Sequence, residues 1–237
     1  VQNQLVNIIH LEKSFSSTKA VHDLSFSISK GEVIMIIGPN GSGKSTTLDL
    51  ILGIQHPTKG EVQFWSTNYR SLVGVQLQST PFFPGLTAKE NLLLFANFYK
   101  RKLSEGQLTH ILRLCSLESV ANTEVTKLSG GQQKRLSIGL ALVHLPELVF
   151  LDEPTAALDP RARKEVHQTI TEIQKQGTTV VITSHDMDEV TKLADRILFF
   201  HSGTKIAEGT ASELCAQYGV QNLEELYINL TKDGVHE

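Results

Sequence analysis

Apolar side chains recur along this chain in two rhythms, and the change of rhythm divides it. Runs of mainly apolar and β-branched residues stand at Val33-Ile34-Met35-Ile36-Ile37, Leu148 to Leu151, Thr178 to Thr183 and Ile197 to His201, the pattern of strands covered on both faces in a parallel sheet. Leu5 to His10 and Leu24-Phe26-Ile28, the second alternating with serine, predict antiparallel strands beside that core. Further strands are expected at Glu61 to Phe64, after a turn at Pro57-Thr58-Lys59-Gly60, at Val73 to Leu77 and at Thr204 to Glu208. From Thr87 to His144 the period becomes helical. Thr87 and Glu90 form a capping box ahead of Leu92 to Tyr99, Ser104 can cap a segment whose Leu108, Ile111, Leu112 and Cys115 share a face, and a helix from Gln132 to His144 is stopped by Pro146. Asp159-Pro160 opens another helix and Met187 to Leu193 a short one. Thr210 and Glu213 form a second capping box, and Leu223, Leu226, Tyr227 and Leu230 give the last helix an apolar stripe expected to dock on the domain.

Strands alternating with helices predict an α/β fold with a mostly parallel sheet, joined by an antiparallel β subdomain and interrupted by a helical insertion. The expected organisation is one domain over 1–237. About 1–80 and 145–210 form the β subdomain and core, about 81–144 the inserted helices, and about 211–237 a C-terminal helical tail. With 237 residues and 40% hydrophobic content the chain can build a sizeable core, and a net charge of -3 offers no basic field for a phosphate backbone, so no nucleic-acid partner is expected. Cys115 and Cys215 lie too far apart in sequence to suggest a disulfide framework or a zinc site, and are expected as reduced thiols in the cytosol. No window approaches the roughly 18 apolar residues of a membrane span and the start lacks a signal pattern. Any work at a membrane is therefore expected to come through a partner.

The chemistry concentrates at Gly38, Pro39, Asn40, Gly41, Ser42, Gly43, Lys44, Ser45 and Thr46, between the run at Val33 and a helix over Thr46 to Leu52. Glycines let successive N–H groups turn inward and the helix adds its positive end, which makes a nest for phosphate. Lys44 can reach the β- and γ-phosphates and Ser45 can bind Mg²⁺. Asp152 and Glu153 end an apolar strand at the edge where a parallel sheet binds ligands, Asp152 suited to Mg²⁺ and Glu153 to polarising the attacking water. Lys127-Leu128-Ser129-Gly130-Gly131-Gln132 can form a second anion site at a helix start, or a plain helix cap. His185 closes a strand where it can donate to a γ-phosphate, although a single histidine carries little weight alone.

These segments, with Gln78, Leu151-Asp152-Glu153-Pro154-Thr155, Ala157-Leu158-Asp159 and Ser184-His185-Asp186, occur in the order found in the nucleotide-binding subunits of ATP-binding cassette (ABC) transporters. The chain resembles that family over residues 5 to about 210. The resemblance implies a phosphate-loop NTPase core, ATP and Mg²⁺ as cofactors, and a head-to-tail dimer with a second copy or a similar cassette. In that dimer Ser129, Gly130 and Gly131, with Gln132 following, would meet a nucleotide held by the other subunit. It also implies Glu153 as catalytic base, His185 as switch histidine, Asp159 in a loop crossing the dimer, and Gln78, with Gln76 competing, coupling Mg²⁺ and water to the helical insertion. Phe15 falls where the family commonly stacks a tyrosine on adenine. The region near Phe82, Phe83 and Pro84 resembles the surface that receives a membrane-spanning subunit.

The resemblance implies an ATPase at the cytoplasmic face of the membrane, held there through its partner. The short tail after Gly209 and the run from Val73 to Gln78 favour exporters of the ABC-2, multidrug type. The alternative is a soluble cassette ATPase acting on ribosomes or nucleic acid, but the interval between Lys44 and Ser129 leaves no room for the coiled-coil arm such proteins carry.

Overall fold

The computed structural model describes residues 3–16, 18–78 and 82–232, which separate into two units, 1–67 with 181–237, and 68–180. The first unit opens on β1 (Gln4–Phe15) and β2 (Thr18–Ser29), followed by β3 (Val33–Ile37), α1 (Lys44–Ile51) and β4 (Lys59–Phe64). β1 pairs antiparallel with both β2 and β4, in the order β2-β1-β4. β1 is longer than its apolar pattern predicts because β2 carries pairing on to Phe15 opposite Thr18, past a bulge where His10 and Asp23 adopt φ 47 and 45. β4 begins at Lys59, inside the predicted turn. Gly60 makes this possible: at φ 79 it brings its backbone so close to β1 that an added Cβ would sit 2.2 Å from the His10 carbonyl oxygen.

The second unit runs through β5 (Val73–Gln76), α2 (Ala88–Phe98), α3 (Glu105–Leu114), α4 (Gly130–Leu142), β6 (Leu148–Asp152) and α5 (Pro160–Lys175). β5 and β6 are parallel, Val73 opposite Leu148 and Gln76 opposite Leu151, and every residue of β6 is buried. The helices close over Leu92, Ile111, Leu112, Leu136 and Leu140, each such side chain contributing about 1.5–3 kcal/mol on full burial. Short 3₁₀ turns at Tyr69–Ser71, Glu118–Val120 and Val125–Lys127 connect these elements; their single turns leave no apolar period to read. The predicted capping boxes form, Thr87 with Glu90 on α2 and Thr210 with Glu213 at the start of the helix after Thr210, and Ser104, predicted as a cap, completes a further box with Gln107 on α3. Ser79, Thr80 and Pro81 of the turn-rich stretch lie outside the described residues.

The chain passes back to the first unit within β7 (Thr179–Ser184) and continues with α6 (Met187–Leu193), β8 (Arg196–His201), β9 (Thr204–Gly209), α7 (Ala211–Tyr218) and α8 (Leu223–Lys232). β3 pairs parallel with β8, Ile34 opposite Arg196 and Ile37 opposite Phe199, and β9 adds antiparallel to β8. All of β3 and β7 is buried, as an apolar run without alternation requires. The stripe on α8 docks: Leu223 and Leu226 are buried, and the Tyr227 ring lies 5.7 Å from that of Phe199. Among the described residues no helix is long and apolar enough to cross a membrane.

Candidate functional site

β3 delivers the chain to Gly38, whose φ of 152 places its α-carbon against β8. A Cβ there would lie 2.1 Å from the Phe200 carbonyl oxygen, so the strand must end in glycine. The loop turns through Ser42 N–H donating to Pro39 O (3.1 Å) and is tied to the β8–β9 turn by Gly203 N–H donating to Ser42 O (3.1 Å). Lys44 is buried, its ammonium donating to the carbonyls of Gly38 (2.7 Å) and Pro39 (2.9 Å). The charge is thereby held over the loop rather than released to solvent. Asn40, Gly41 and Ser45 are exposed, while Thr46 is half-buried on α1.

α1 begins differently from the other helices. Thr87, Ser104, Ser129, Asp159, Asp186 and Thr210 cap α2 to α7 with side-chain oxygens, and Asn222 accepts from Glu225 N–H at the start of α8. The N-cap of α1 is Gly43 at φ 95, which has no side chain to offer. Among the described residues α1 is thus the α-helix without a side-chain N-cap bond, and a helix end of this kind favours an acceptor from outside. The Ser42 hydroxyl is buried without a hydrogen-bond partner in the same loop. A basic side chain, an uncapped helix end and an orphaned hydroxyl together fit a phosphate chain.

In the same unit, His185 is exposed directly after β7. Its turn is braced from behind: Ser184 Oγ donates to the buried Glu189 carboxylate (2.5 Å), Asp186 N–H donates to Ser184 Oγ (3.1 Å), and Asp186 caps α6 through Glu189 N–H (3.2 Å). Phe15 ends β1 with its ring 44% exposed, and the Lys13 ammonium lies 5.0 Å from its centroid.

In the second unit Asp152 ends β6, nearly buried, and Glu153 follows with φ 47, a left-handed conformation uncommon for a residue with a side chain. The Glu153 carbonyl accepts from Ala156 N–H (3.3 Å) and from the Lys134 ammonium (3.3 Å). Burial pushes the Lys134 pKa down, opposed by the charges of Asp152 and Glu153. A buried carboxylate such as Asp152 and a hydroxyl such as Ser45 are hard oxygen donors of the kind Mg²⁺ takes. The two candidate glutamines separate cleanly. Gln76 is buried and donates to Leu77 O (2.5 Å) and Asp152 O (3.5 Å), whereas Gln78 is exposed and lines a cavity of about 390 Å³ with Gly130, Lys134 and Ala157.

α4 starts at Gly130, two residues before its predicted start, because Ser129 completes a capping box with Gln132: Gln132 N–H donates to Ser129 Oγ (3.3 Å) and Ser129 N–H to Gln132 Oε1 (2.9 Å). The cap uses the hydroxyl as acceptor and leaves its proton to donate elsewhere. Gly131 is packed so tightly against α5 that a Cβ would come 2.7 Å from that of Ala162, while at Gly130 it would meet nothing within 4 Å. Asp159 caps α5 by accepting from Arg161 N–H (2.9 Å) and Ala162 N–H (3.0 Å), and these bonds, that to Ala162 foremost, hold its carboxyl below the usual range. Phe83 is partly exposed and its ring stands 6.1 Å from Phe95 and 6.0 Å from Phe98, which is 60% exposed. Asn91 pins that loop, accepting from Phe83 N–H (3.0 Å) and donating to Thr87 O (3.0 Å).

Sequence reasoning passed over Lys134, which lies inside a helix with no motif of its own. Its position one turn after Gly130 on the same face was the available signal.

Residues 21–156 match the family model described as ABC transporter. Over 236 residues the chain is 35% identical to Nod factor export ATP-binding protein I of Bradyrhizobium diazoefficiens, covering 96% of this chain and 77% of that protein. It is 34% identical to linearmycin resistance ATP-binding protein LnrL of Bacillus subtilis, covering 96% and 75%. Among solved structures it is similar to the dimeric post-hydrolysis state of the ATP-binding cassette MJ0796 bound to ADP and Pi, with a TM-score of 0.76 and 29% identity over 87% of this chain and 98% of that one.

Proposed function

The chain belongs to the ABC transporter family, as an ATP-hydrolysing cassette, and from that premise we propose that it powers export through separate membrane-spanning subunits. The observation that carries the export reading is that nearly the whole chain aligns with ATP-binding proteins named for Nod factor export and linearmycin resistance. The complete hydrolytic set along the sequence supports turnover rather than a regulatory role.

In this reading the Gly38 to Thr46 loop holds the phosphates by its amides, Lys44 neutralises them, and Phe15 stacks on adenine. Ser45, Asp152 and Gln78 would hold Mg²⁺, which when bound spreads the charge developing on the transferred phosphoryl group. Glu153 accepts the proton of the attacking water and His185 donates to the γ-phosphate. A second copy, or a similar cassette, presents Ser129, Gly130, Gly131 and Gln132, with Asp159 in the loop that crosses the dimer; the dimeric structure of the cassette MJ0796 supports the pairing of two such subunits. The Phe82 to Pro84 surface with Phe95 and Phe98 receives the membrane partner, and the chain is peripheral to the cytoplasmic face through it.

The test is recovery of the tagged Glu153→Gln chain from cell membranes with ATP. A multi-span protein in the complex is the expected result. Ribosomes or nucleic acid with no membrane protein would overturn transport in favour of the soluble alternative.

A further inference from the structure

Lys134 stands on α4 four residues after Gly130, so the two share a face of that helix, and both line the cavity of about 390 Å³ that also borders Ala156, Ala157 and Leu158. The Lys134 ammonium also donates to the carbonyl oxygen of Glu153 at 3.3 Å. That peptide is a conformationally costly point of the loop between β6 and α5, because Glu153 sits at φ 47, and Ala157 in the same loop sits at φ 61. Relaxing φ to the ordinary negative region would swing the Cα–Cβ bond, and the carboxylate with it, by about 100°. Ala156 N–H shares the same carbonyl, so the strained turn is clamped from its own loop and from α4.

α4 itself cannot yield easily. Arg135, the next residue, is buried and forms an ion pair with Glu165 on α5, Gly131 is seated on Ala162, and Gln133 Nε2 donates to Val125 O at 3.0 Å. A shift at the start of the helix is therefore carried to Lys134 rather than absorbed between them.

We propose that Lys134 is a positioning residue for hydrolysis, which fixes the Glu153 peptide in its left-handed conformation and ties the aim of that carboxylate to the helix that begins at Ser129. Resting on the function proposed above, this gives successive turns of α4 complementary parts in hydrolysis. The first turn meets a nucleotide across the dimer, and the second holds the base that acts on the subunit's own nucleotide. Lys134 touches neither nucleotide. It acts through Glu153, and its loss should slow the chemical step without weakening ATP binding.

The experiment compares steady-state ATP hydrolysis by the full chain with Lys134→Met, which keeps the stem and removes the donor, and Lys134→Arg, which keeps a donor and the charge. ATP-driven dimerisation of Lys134→Met in the Glu153→Gln background is measured alongside. Losing a charge-assisted hydrogen bond at this point predicts a kcat about tenfold lower for Lys134→Met, with KM for ATP within about twofold and dimerisation retained, and recovery to within about threefold in Lys134→Arg. A Lys134→Met variant as fast as the wild type overturns the inference. So does a loss that appears in KM or in dimerisation instead of kcat, or a Lys134→Arg variant as slow and as thermally unstable as Lys134→Met. An inactive wild type overturns the proposed function along with it, whereas an active wild type with an unaffected Met variant overturns this inference alone.

Discussion

Gly130 and Gly131 are adjacent glycines with opposite reasons for being glycine, and alanine at each position separates folding from function. At Gly131 an added Cβ would lie 2.7 Å from the Ala162 Cβ, about 1 Å closer than ordinary carbon contact. α4 and α5 would have to part, at a cost of about 1–3 kcal/mol for overpacking. At Gly130 the same methyl meets nothing within 4 Å, and the residue opens α4 without a left-handed φ. Alanine there should stabilise the helix by about 0.5–1 kcal/mol, raising the melting temperature by about 2–4 °C per kcal/mol for a chain of this size. Within the chain nothing within 4 Å of an added Cβ requires glycine at 130, so a requirement for it would have to come from what approaches the helix from outside. If that is the phosphate of a nucleotide held by the second subunit, the methyl displaces an N–H donor, and turnover should fall about 10²-fold. Melting curves and steady-state ATPase assays on both variants decide the matter. Gly130→Ala should be more stable and nearly inactive, and Gly131→Ala both less stable and less active. A Gly130→Ala protein that is stabilised and fully active would falsify the role assigned to this helix start.

The remaining predictions concern single sites. Gly38→Ala should abolish nucleotide binding in a fluorescent-ATP titration, because its Cβ would collide with a backbone carbonyl of β8 rather than a movable side chain; unchanged affinity would refute the loop geometry. Leu145 is 46% exposed at φ 56, a conformation costing a branched residue about 1–2 kcal/mol, so Leu145→Asn should stabilise the fold by about 1 kcal/mol in urea unfolding. Burial pushes the His144 pKa below its ordinary 6.5, its bond to the Val73 carbonyl opposing and Arg101 adding to the shift. The unfolded chain then binds a proton that the folded chain refuses, so this residue contributes stability above pH 6.5 that is lost as pH falls toward the folded value. His144→Gln should flatten the acid side of the stability curve below pH 6.5, and an unchanged slope would show that other groups govern it.

How much of this was legible depends on whether the determinant was local. Helix starts at Thr87, Ser104, Asp159 and Thr210 were visible because an N-cap and its partner lie within three residues of each other. The same chemistry at Ser129 was open to two readings, and the helix proves to begin at Gly130 because Ser129 is a cap whatever else it does. Lys59 and Gly60 read as a turn because the fact that makes them a strand, the close approach of β1 at His10, is distant in sequence. Gln76 and Gln78 carry the same side chain and differ because β5 ends at Gln76, which is buried, and leaves Gln78 exposed beyond it. The left-handed turn at Glu153 and the reach of Lys134 to it have no sequence signature, since Asp-Glu-Pro does not reveal a backbone angle and a lysine inside a helix is usually a solvated one.

The uncapped first turn of α1 has a consequence for the life of the protein in the cell. Where the other α-helices carry side-chain caps, Gly43 offers this one none, and in the proposed function a nucleotide phosphate completes it. Nucleotide is then a structural component as well as a fuel, and at a hundredfold excess over its dissociation constant it adds about 2.7 kcal/mol to the folded state. On that reading a fall in ATP removes this stabilisation, and the folded fraction of the chain would follow the energy available to run it.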